Sequence, residues 1–296
     1  MRELELVLDC RATIGESPTW SACDGALFWI DVREPALHRL GRDGTARRWP
    51  LPSDIGAFAL LEKATGALVA LRTGIFSLDF SAAAPRLIAP APHDPQLFRF
   101  NEGICDARGR FWVGVMFDPQ TKTPGEPNQK RALHHFTFQE GLIAAWDESD
   151  LHNGFAWSVA GDEFLWSHSK EGRVYRGPYN LETGIIGPPH SFVEIAHRKG
   201  VPDGAAMDEE GCYWCAVYGA SALHRYDPRG NLLSRIALPV SQPTMCAFIG
   251  PNLDEMVVTS AREHLTPEQL AREPYAGGLF RLNPGVRGVP RPCVVH

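Results

Sequence analysis

The stretch Cys23–Gly44, CDGALFWIDVREPALHRLGRDG, sets a pattern that recurs along the whole chain. A turn rich in Asp and Gly leads into an apolar run, ALFWIDV. After a polar gap, a second run of the type ALHRL ends at another turn. Short runs rich in Val, Leu, Phe and Trp, bounded by Gly, Asp and Pro, are typical of β-strands joined by tight turns. The stretch therefore predicts two neighbouring strands of one sheet.

Related phrases follow, with starts about 40 to 55 residues apart. The further copies are Lys63–Phe80, Cys105–Asp118 with its closing run Ala132–Gly141, Ala160–Tyr179, Asp208–Gly230, and Asn252–Glu263 with its closing run Gly277–Gly285. A short apolar run precedes each copy: GAFALL, NEGICD, NGFAWSVA, DGAAMDE and TMCAFIG. A four-stranded unit at this period is the signature of a β-propeller blade. We predict an all-β, six-bladed β-propeller with residues 1–296 as a single domain; a β-sandwich with irregular loops is the alternative.

The two ends of the chain are well placed to close the ring, because a propeller must hide its terminal strand edges. We expect Leu4–Asp9 and Arg291–His296 to complete one blade together. One helix is predicted inside the sixth copy, in LTPEQLAREP. Thr266 is its N-cap, Pro267 suits its first turn, and Gln269 stands three residues after the cap.

Composition excludes several classes of protein. The chain has 44% hydrophobic and 22% charged residues, which is ordinary for a soluble globular protein. A net charge of -6 argues against nucleic acid as a partner. No apolar run reaches the roughly 18 residues of a membrane span, so no membrane partner is expected. The N-terminus lacks the apolar core of a secretory signal, and seven Cys are dispersed. These features predict a cytoplasmic protein, and leave its oligomeric state open.

Polar residues stand near the starts of the predicted innermost strands, which line the central channel of a propeller. They are Glu16, Asn101, Asn153 and Asp203. If the repeat holds, these side chains occupy similar depths on different blades and face one axis. Carboxylate and amide oxygens are hard ligands that suit Ca²⁺, Mg²⁺ or Mn²⁺ and tolerate Zn²⁺. Each Asn-Gly or Asp-Gly alone is also explained by turn formation, so the prediction of a central metal-binding channel depends on the shared phase of all four.

The chain resembles the gluconolactonase/regucalcin (senescence marker protein) family of six-bladed propellers. The resemblance runs nearly end to end. It is carried by GESPTW, RFNEGICDARGRFWVGVM, NGFAWS, PDGAAMDEEGCYWCAVYG and LPVSQPTMCAFIGPNLDEMVVTSAR. The segment REHLTPEQLAREPYAGGLFRL is similar to the sixth-blade insertion of the bacterial sugar lactonases within that family.

The resemblance implies one divalent cation held by Glu16, Asn153 and Asp203, with Ca²⁺, Zn²⁺, Mn²⁺, Mg²⁺ and Fe²⁺ as candidates. It implies that Arg99 and Asn101 bind the substrate, and that Asp203 is both a metal ligand and the catalytic proton acceptor or donor. The expected activity is hydrolysis of a sugar lactone, such as glucono-, xylono-, arabino- or galactonolactone, to the aldonic acid. A phosphorylated or sulfonated sugar lactone remains open, although no dense basic cluster in the sequence requires one.

Two positions depart from the family pattern. Some members have a substrate-binding acid shortly after a GTM motif, where GVMFDP has Pro119, with Asp118 just before it. At the end of the second strand of blade four, His168-Ser169 stands where Asp-Ser is common. Two other functions stay open, because a fold alone does not fix an activity. One is a non-catalytic metal-binding regulatory propeller, and the other is an esterase or phosphotriesterase on the same scaffold.

Overall fold

The computed structural model describes residues 4–82, 84–121, 123, 125–196 and 200–295. Its strands form six antiparallel sheets, and five of the six are built from strands consecutive in sequence. The prediction of a six-bladed β-propeller is confirmed, and the β-sandwich alternative is wrong.

The strands follow the order of the sequence. The first strand, β1 (Leu4–Leu8), belongs to the last blade. Blade 1 contains β2 (Gly15–Ser21), β3 (Ala26–Asp31), β4 (Ala36–Gly41) and β5 (Ala46–Pro50). Blade 2 contains β6 (Ile55–Leu60), β7 (Gly66–Leu71), β8 (Gly74–Asp79) and β9 (Arg86–Pro90). Blade 3 contains β10 (Phe98–Cys105), β11 (Phe111–Phe117), β12 (Arg131–Thr137) and β13 (Gly141–Ser149).

The second half of the chain is built in the same way. Blade 4 contains β14 (His152–Trp157), β15 (Glu163–His168), β16 (Arg173–Asn180), β17 (Ile185–Ile186) and β18 (His190–Glu194). Blade 5 contains β19 (Val201–Met207), β20 (Tyr213–Tyr218), β21 (Ala222–Tyr226) and β22 (Leu232–Ala237). Blade 6 contains β23 (Pro243–Ile249), β24 (Glu255–Ser260) and β25 (Leu279–Leu282), with β1 outside β25. Short 3-10 turns cover Glu62–Ala64 and Ser169–Glu171, and one α-helix, α1, covers Pro267–Arg272.

The first strands of the blades form the inner wall of the ring. Strand β2 contacts β6 and β23, and the same kind of contact links β6 to β10, β10 to β14, β14 to β19 and β19 to β23. These six inner strands are the short apolar runs that precede each repeat in the sequence. They point the same way around the ring, so their starts lie at one face of the molecule and their ends at the other.

The hydrophobic core lies between neighbouring blades. Six buried clusters occur among the described residues, one for each blade-to-blade interface. Strand β3 shows how one strand serves two of them. Phe28 packs toward blade 2, whereas Leu27 and Trp29 pack toward blade 6. Successive side chains of a strand point to opposite faces, so a blade buried on both faces has the continuous apolar run of Ala26–Asp31.

The ring closes as expected at the N-terminal strand, but the C-terminal segment lies elsewhere. Strand β1 pairs with β25, with Leu6 opposite Phe280, so the N-terminal strand does complete the last blade. The prediction that Arg291–His296 completes the same blade is wrong. Instead Val294 pairs in parallel with Leu61, donates its amide to the Leu60 carbonyl at 2.9 Å and is buried. The apolar side chain of Val294 finds its partners between blades 2 and 3, which draws this segment away from blade 6. His296 lies outside the described residues.

Helix α1 has the predicted start. The Thr266 hydroxyl accepts the Gln269 amide, and the Gln269 side chain accepts the Thr266 amide, which together form a capping box. Its six residues contain no buried side chain, so the helix decorates a loop of blade 6. In the described part of the chain, no helix is long and apolar enough to cross a bilayer.

Candidate functional site

Every inner strand carries a register irregularity near its start. The shifts fall at Glu16–Thr19, Ile55–Ala57, Asn101–Gly103, Asn153–Ala156, Pro202–Ala205 and Pro243–Cys246. A β-bulge re-aims the side chains around it and is frequent next to active sites. In four blades, Glu16, Asn101, Asn153 or Asp203 stands at this level. The structure thus places the four predicted polar residues at equivalent depths.

The backbone after three of these residues adopts the left-handed conformation. The φ angles are 53° at Ser17, 37° at Glu102 and 67° at Gly154, directly after Glu16, Asn101 and Asn153. This conformation costs a non-glycine residue of order 1–3 kcal/mol, and such strain clusters at functional sites. The sequence provides glycine only in blade 4, so Ser17 and Glu102 hold strained backbone.

Two carboxylates face the channel without a positively charged side chain in ion-pair contact. Asp203 is 7% exposed and Glu16 is half-buried. Among the described residues, neither has a Lys, Arg or His nitrogen within 4.0 Å. Burial and the charge of Glu102 raise the pKa of Glu16 to about 8. Burial, Glu16 and Glu102 raise the pKa of Asp203 well above its ordinary value. Two neighbouring acids with little access to solvent are destabilising unless a proton or a cation neutralises them.

The amide side chains form a chain of hydrogen bonds beside these acids. Asn101 Nδ2 donates to Asn153 Oδ1 at 2.6 Å, and Arg99 Nη1 donates to Asn101 Oδ1 at 2.9 Å. Asn153 Nδ2 donates to the Ser169 hydroxyl at 2.9 Å. These bonds fix the orientation of both amides and leave a lone pair of Asn153 Oδ1 available. Arg99 also lies close enough to lower the pKa values of Glu16 and Asp203.

Glu102 is a functional candidate that sequence reasoning missed. Its carboxylate is 4% exposed and accepts the amides of Gly154 at 2.6 Å and Phe155 at 2.8 Å. Burial raises its pKa to about 7. Glu102 therefore holds the bulge that follows Asn153. In a regular strand, Asn101 and Glu102 would point to opposite faces. The only sequence signal was an acid inside the apolar run NEGICD.

A network of ion pairs surrounds the mouth of the channel. Arg33, Arg72 and Arg99 all bond to Asp118, at 2.9, 2.6 and 3.1 Å. The network continues to Asp54 and Glu263 at 2.8 and 2.9 Å. It joins blades 1, 2, 3 and 6, and it leaves the guanidinium of Arg99 with little freedom to move.

The carboxylate of Asp118 holds three arginine side chains in place. Burial opposes its ionisation, yet hydrogen bonds from Arg33 and the charges of Arg99, Arg33 and Arg72 lower the pKa of Asp118 to about 2. A carboxylate engaged by three guanidinium groups has little capacity left for a sugar hydroxyl. The departure at GVMFDP thus changes the mouth, where Pro119 lines the wall.

A pocket of about 350 Å³ opens at this mouth. Its lining includes Arg33, Arg99, Pro119, Lys170 and His264. Lys170 lies 4.0 Å from Asp150 and follows Ser169, the partner of Asn153. The position of His168 is buried, and its ring packs against His152 and Tyr175. His168 thus supports the turn that carries Ser169 and Lys170.

The donor set fits a hard cation. Among the described residues, no three Asp, Glu, His or Cys side chains are grouped as metal ligands. The candidate set instead combines the carboxylates of Glu16 and Asp203 with the amide oxygen of Asn153. Such oxygen ligands suit Ca²⁺, Mg²⁺ or Mn²⁺, and a divalent charge would neutralise the two buried acids.

Comparisons with known proteins show which family and relatives the chain is similar to. A protein-family model described as "SMP-30/Gluconolactonase/LRE-like region" matches residues 14–262. The chain is 35% identical to 6-deoxy-6-sulfogluconolactonase from Pseudomonas putida, over 98% of this chain and 97% of the relative. It is 30% identical to regucalcin from Homo sapiens, over 97% of this chain and 96% of the relative.

A solved structure has the same fold over nearly its full length. The calcium-binding protein regucalcin from Agrobacterium tumefaciens superimposes with a TM-score of 0.89 at 28% identity, covering 100% of this chain and 97% of that one. The relatives therefore include a sugar lactonase and a protein described by its calcium binding.

Proposed function

The chain belongs to the SMP-30/gluconolactonase/LRE-like family, and on this basis we propose that it is a metal-dependent hydrolase that opens a sugar-derived lactone to the aldonic acid. The observation that carries the proposal is the pair of carboxylates in the channel, Glu16 and Asp203, beside the oriented amide of Asn153. We assign these three residues as the ligands of one divalent cation. When bound, the cation supplies Lewis acidity toward the lactone carbonyl or a bound water.

Asp203 is proposed as the general base. Its carboxylate lies in the channel close to that of Glu16, where a water molecule within hydrogen-bond reach can pass a proton to it. Water attacks the carbonyl carbon of the lactone while Asp203 accepts a proton from that water. The bond between the carbonyl carbon and the ring oxygen then breaks. The ring oxygen takes up the proton and becomes a hydroxyl group of the aldonic acid.

Arg99 and Asn101 are proposed to orient the lactone. Among the described residues, the hydrogen bonds of Arg99 use Nε and Nη1, so Nη2 remains for an oxygen of the substrate. A guanidinium held in place by Asp118 stabilises developing negative charge without having to reorganise. Asn101 stands between Arg99 and Asn153, and so links the substrate contact to the proposed metal ligand.

The mouth pocket is proposed to hold the far end of the sugar. The charges of its two arginines, Arg33 and Arg99, are matched by carboxylates, whereas among the described residues Lys170 has only a 4.0 Å contact with Asp150. Lys170 is thus the cation that an acidic substituent on the lactone would meet. This supports testing a sulfonated lactone, the substrate type in the name of the Pseudomonas putida relative, beside neutral lactones.

The test is a substrate panel followed with a pH indicator, with and without chelator. It contains glucono-, xylono-, arabino- and galactonolactone, a 6-sulfonated gluconolactone, an aryl ester and a phosphotriester. We expect the highest kcat/KM on a lactone, and loss of that activity after chelation. Metal binding without turnover of any panel member would favour a regulatory propeller. A preference for the aryl ester or the phosphotriester would favour the other hydrolase.

A further inference from the structure

A second cavity lies at the end of the channel opposite the mouth pocket. The mouth pocket is lined near the start of an inner strand, at Arg99, whereas this cavity is lined by the ends of inner strands, at Cys105, Trp157 and Met207. Since the inner strands all point the same way, the two cavities open at opposite faces. No residue of the proposed catalytic machinery lines the second one.

The C-terminal segment forms one wall of this cavity. Val289 donates its amide to the Met207 carbonyl at 3.1 Å, and Gly288 donates to Leu253 at 2.9 Å. After crossing the end of the channel, the segment is anchored by Val294 on blade 2. Residues 289–292 therefore cover a space bounded by several blades. The segment thus forms a wall of the cavity, which it would not do if it paired with the last blade.

The lining is mostly apolar. Phe155, Ala205 and Phe248 are buried walls, and Val159 stands at the rim with 52% of its surface exposed. The volume is about 200 Å³. Since an apolar cavity of about 150 Å³ accommodates benzene, this space fits one six-membered ring with a small substituent.

Among the residues that the structure describes, two with charged side chains line the cavity, and one of these side chains is fully engaged. Asp106 is 1% exposed, and its carboxylate bonds to Arg110, Trp112 and Tyr179. It also accepts the backbone amides of Arg108 and Arg110. Asp106 therefore has no capacity for a ligand.

Arg291 is the remaining charged group. Its Nη2 donates to the carbonyls of Ala205 at 3.3 Å and Cys246 at 3.4 Å, both long for such bonds. In the part of the chain that the structure describes, these bonds use Nη2 alone and no carboxylate lies within 4.0 Å of the guanidinium. Nε and Nη1 therefore remain for a ligand. A planar guanidinium binds a carboxylate through two parallel hydrogen bonds.

We propose that this cavity is a second binding site, which takes a small carboxylate with an apolar ring or branched body. Arg291 binds the carboxylate, and the walls formed by Phe155, Phe248 and the C-terminal segment bury the apolar part. The site is separate from the proposed lactonase site, so it does not depend on the proposed function. Polar aldonic acids do not fit its apolar walls, which separates its ligand from the product of the proposed reaction.

The test is a titration of the full chain with benzoate, followed by calorimetry and saturation-transfer NMR, with benzamide as the neutral matched ligand. We expect saturable binding of benzoate and at least tenfold weaker binding of benzamide. Arg291→Gln, which keeps a donor for the carbonyls but removes the charge, should weaken benzoate binding about tenfold. Val159→Asp, a change at the exposed rim that leaves the buried walls intact, should weaken it as well.

Lys170→Ala is the control for the opposite mouth, and it should leave benzoate binding unchanged. The proposal is overturned if benzoate does not bind saturably, or if benzamide binds equally well. It is also overturned if Lys170→Ala removes binding while folded Val159→Asp retains it, since benzoate would then occupy the mouth pocket.

Discussion

At the scale of single residues, the site depends on how backbone strain and hydrogen bonds direct a few polar side chains. The bulge after Asn153 is held by the carboxylate of Glu102, which accepts two consecutive amides. Asn153 itself is fixed by Asn101 and Ser169. Glu102 thus acts through Asn153 as a positioning residue, and it touches neither the substrate nor the cation in the proposed mechanism.

Glu102→Gln should weaken metal affinity about tenfold, or about 1.4 kcal/mol. The amide group of Gln can accept only one of the two backbone N–H groups and turns a donor toward the other, which shifts the bulge. We expect kcat to fall at subsaturating metal, with KM for the lactone nearly unchanged. Metal titration by calorimetry and steady-state kinetics measure both effects.

Glu210→Gln is the matched control, because Glu210 is an exposed acid paired with Arg225. It should change neither metal affinity nor kcat, as expected for a surface ion pair. Equal metal affinity in Glu102→Gln and Glu210→Gln would contradict the positioning role.

At the scale of elements, ring closure depends on β1. Leu6 lies opposite Phe280 and packs against the cluster between blades 5 and 6. Leu6→Ala removes a half-buried side chain from this seam, so the free energy of unfolding should fall by about 1–2 kcal/mol. Chemical denaturation measures the change.

The neighbouring residue provides the control for closure. Glu5 on the same strand is paired with Arg281 at the surface, so Glu5→Gln should cost less than about 1 kcal/mol. A loss in Leu6→Ala no larger than that in Glu5→Gln would show that β1 contributes little to closure.

The sequence predicts the strands of the blades better than it predicts the residues whose positions depend on a bulge or on a tertiary contact. Repeats such as Cys23–Gly44 contain the strand pairs of each blade, because strands buried on both faces require continuous apolar runs. Asn153 and Asp203 could be placed at the inner wall from their phase in the repeat. Glu102 could not be placed there, because the alternation of side chains along a strand would point it to the face opposite Asn101, and only the bulge changes that direction. The C-terminal segment could not be placed either, since Val294 is anchored by a tertiary contact with blade 2.

At the scale of the whole molecule, the channel concentrates buried negative charge. Glu16, Glu102 and Asp203 share it, and their pKa values are all raised, chiefly by burial. Near neutral pH, the folded protein without metal therefore holds protons that the unfolded chain has already released. That residues 1–296 form one domain stays a prediction.

The metal-free protein should lose stability as pH rises from about 6.5 to about 8. Glu16 has an ordinary value of 4.5 and a folded pKa of about 8, so in this range the folded state binds more protons than the unfolded state. Burial also lowers the pKa values of His38 and His93 to about 4. Below about pH 6.5 the unfolded chain therefore binds protons that these folded histidines do not, so their contribution to stability rises with pH. Calorimetric melting after chelation should show Tm falling across this window.

Glu16→Gln provides the comparison for this pH effect, because it keeps the size of the side chain and removes its titration. Its Tm should fall less between pH 6.5 and 8 than that of the wild type. The same slope in both proteins would contradict the assignment of Glu16 to this buried acid cluster.

The central claim is that one divalent cation at Glu16, Asn153 and Asp203 supports lactone hydrolysis. The most direct measurement titrates Ca²⁺, Zn²⁺, Mn²⁺ or Mg²⁺ into chelator-treated protein while the initial rate of gluconolactone opening is recorded. The prediction is a rate that rises and saturates at one cation per chain in the wild type, and a rate at least a hundredfold lower in folded Asp203→Asn at every metal concentration. Full activity in the chelated protein, or in Asp203→Asn, would contradict the claim.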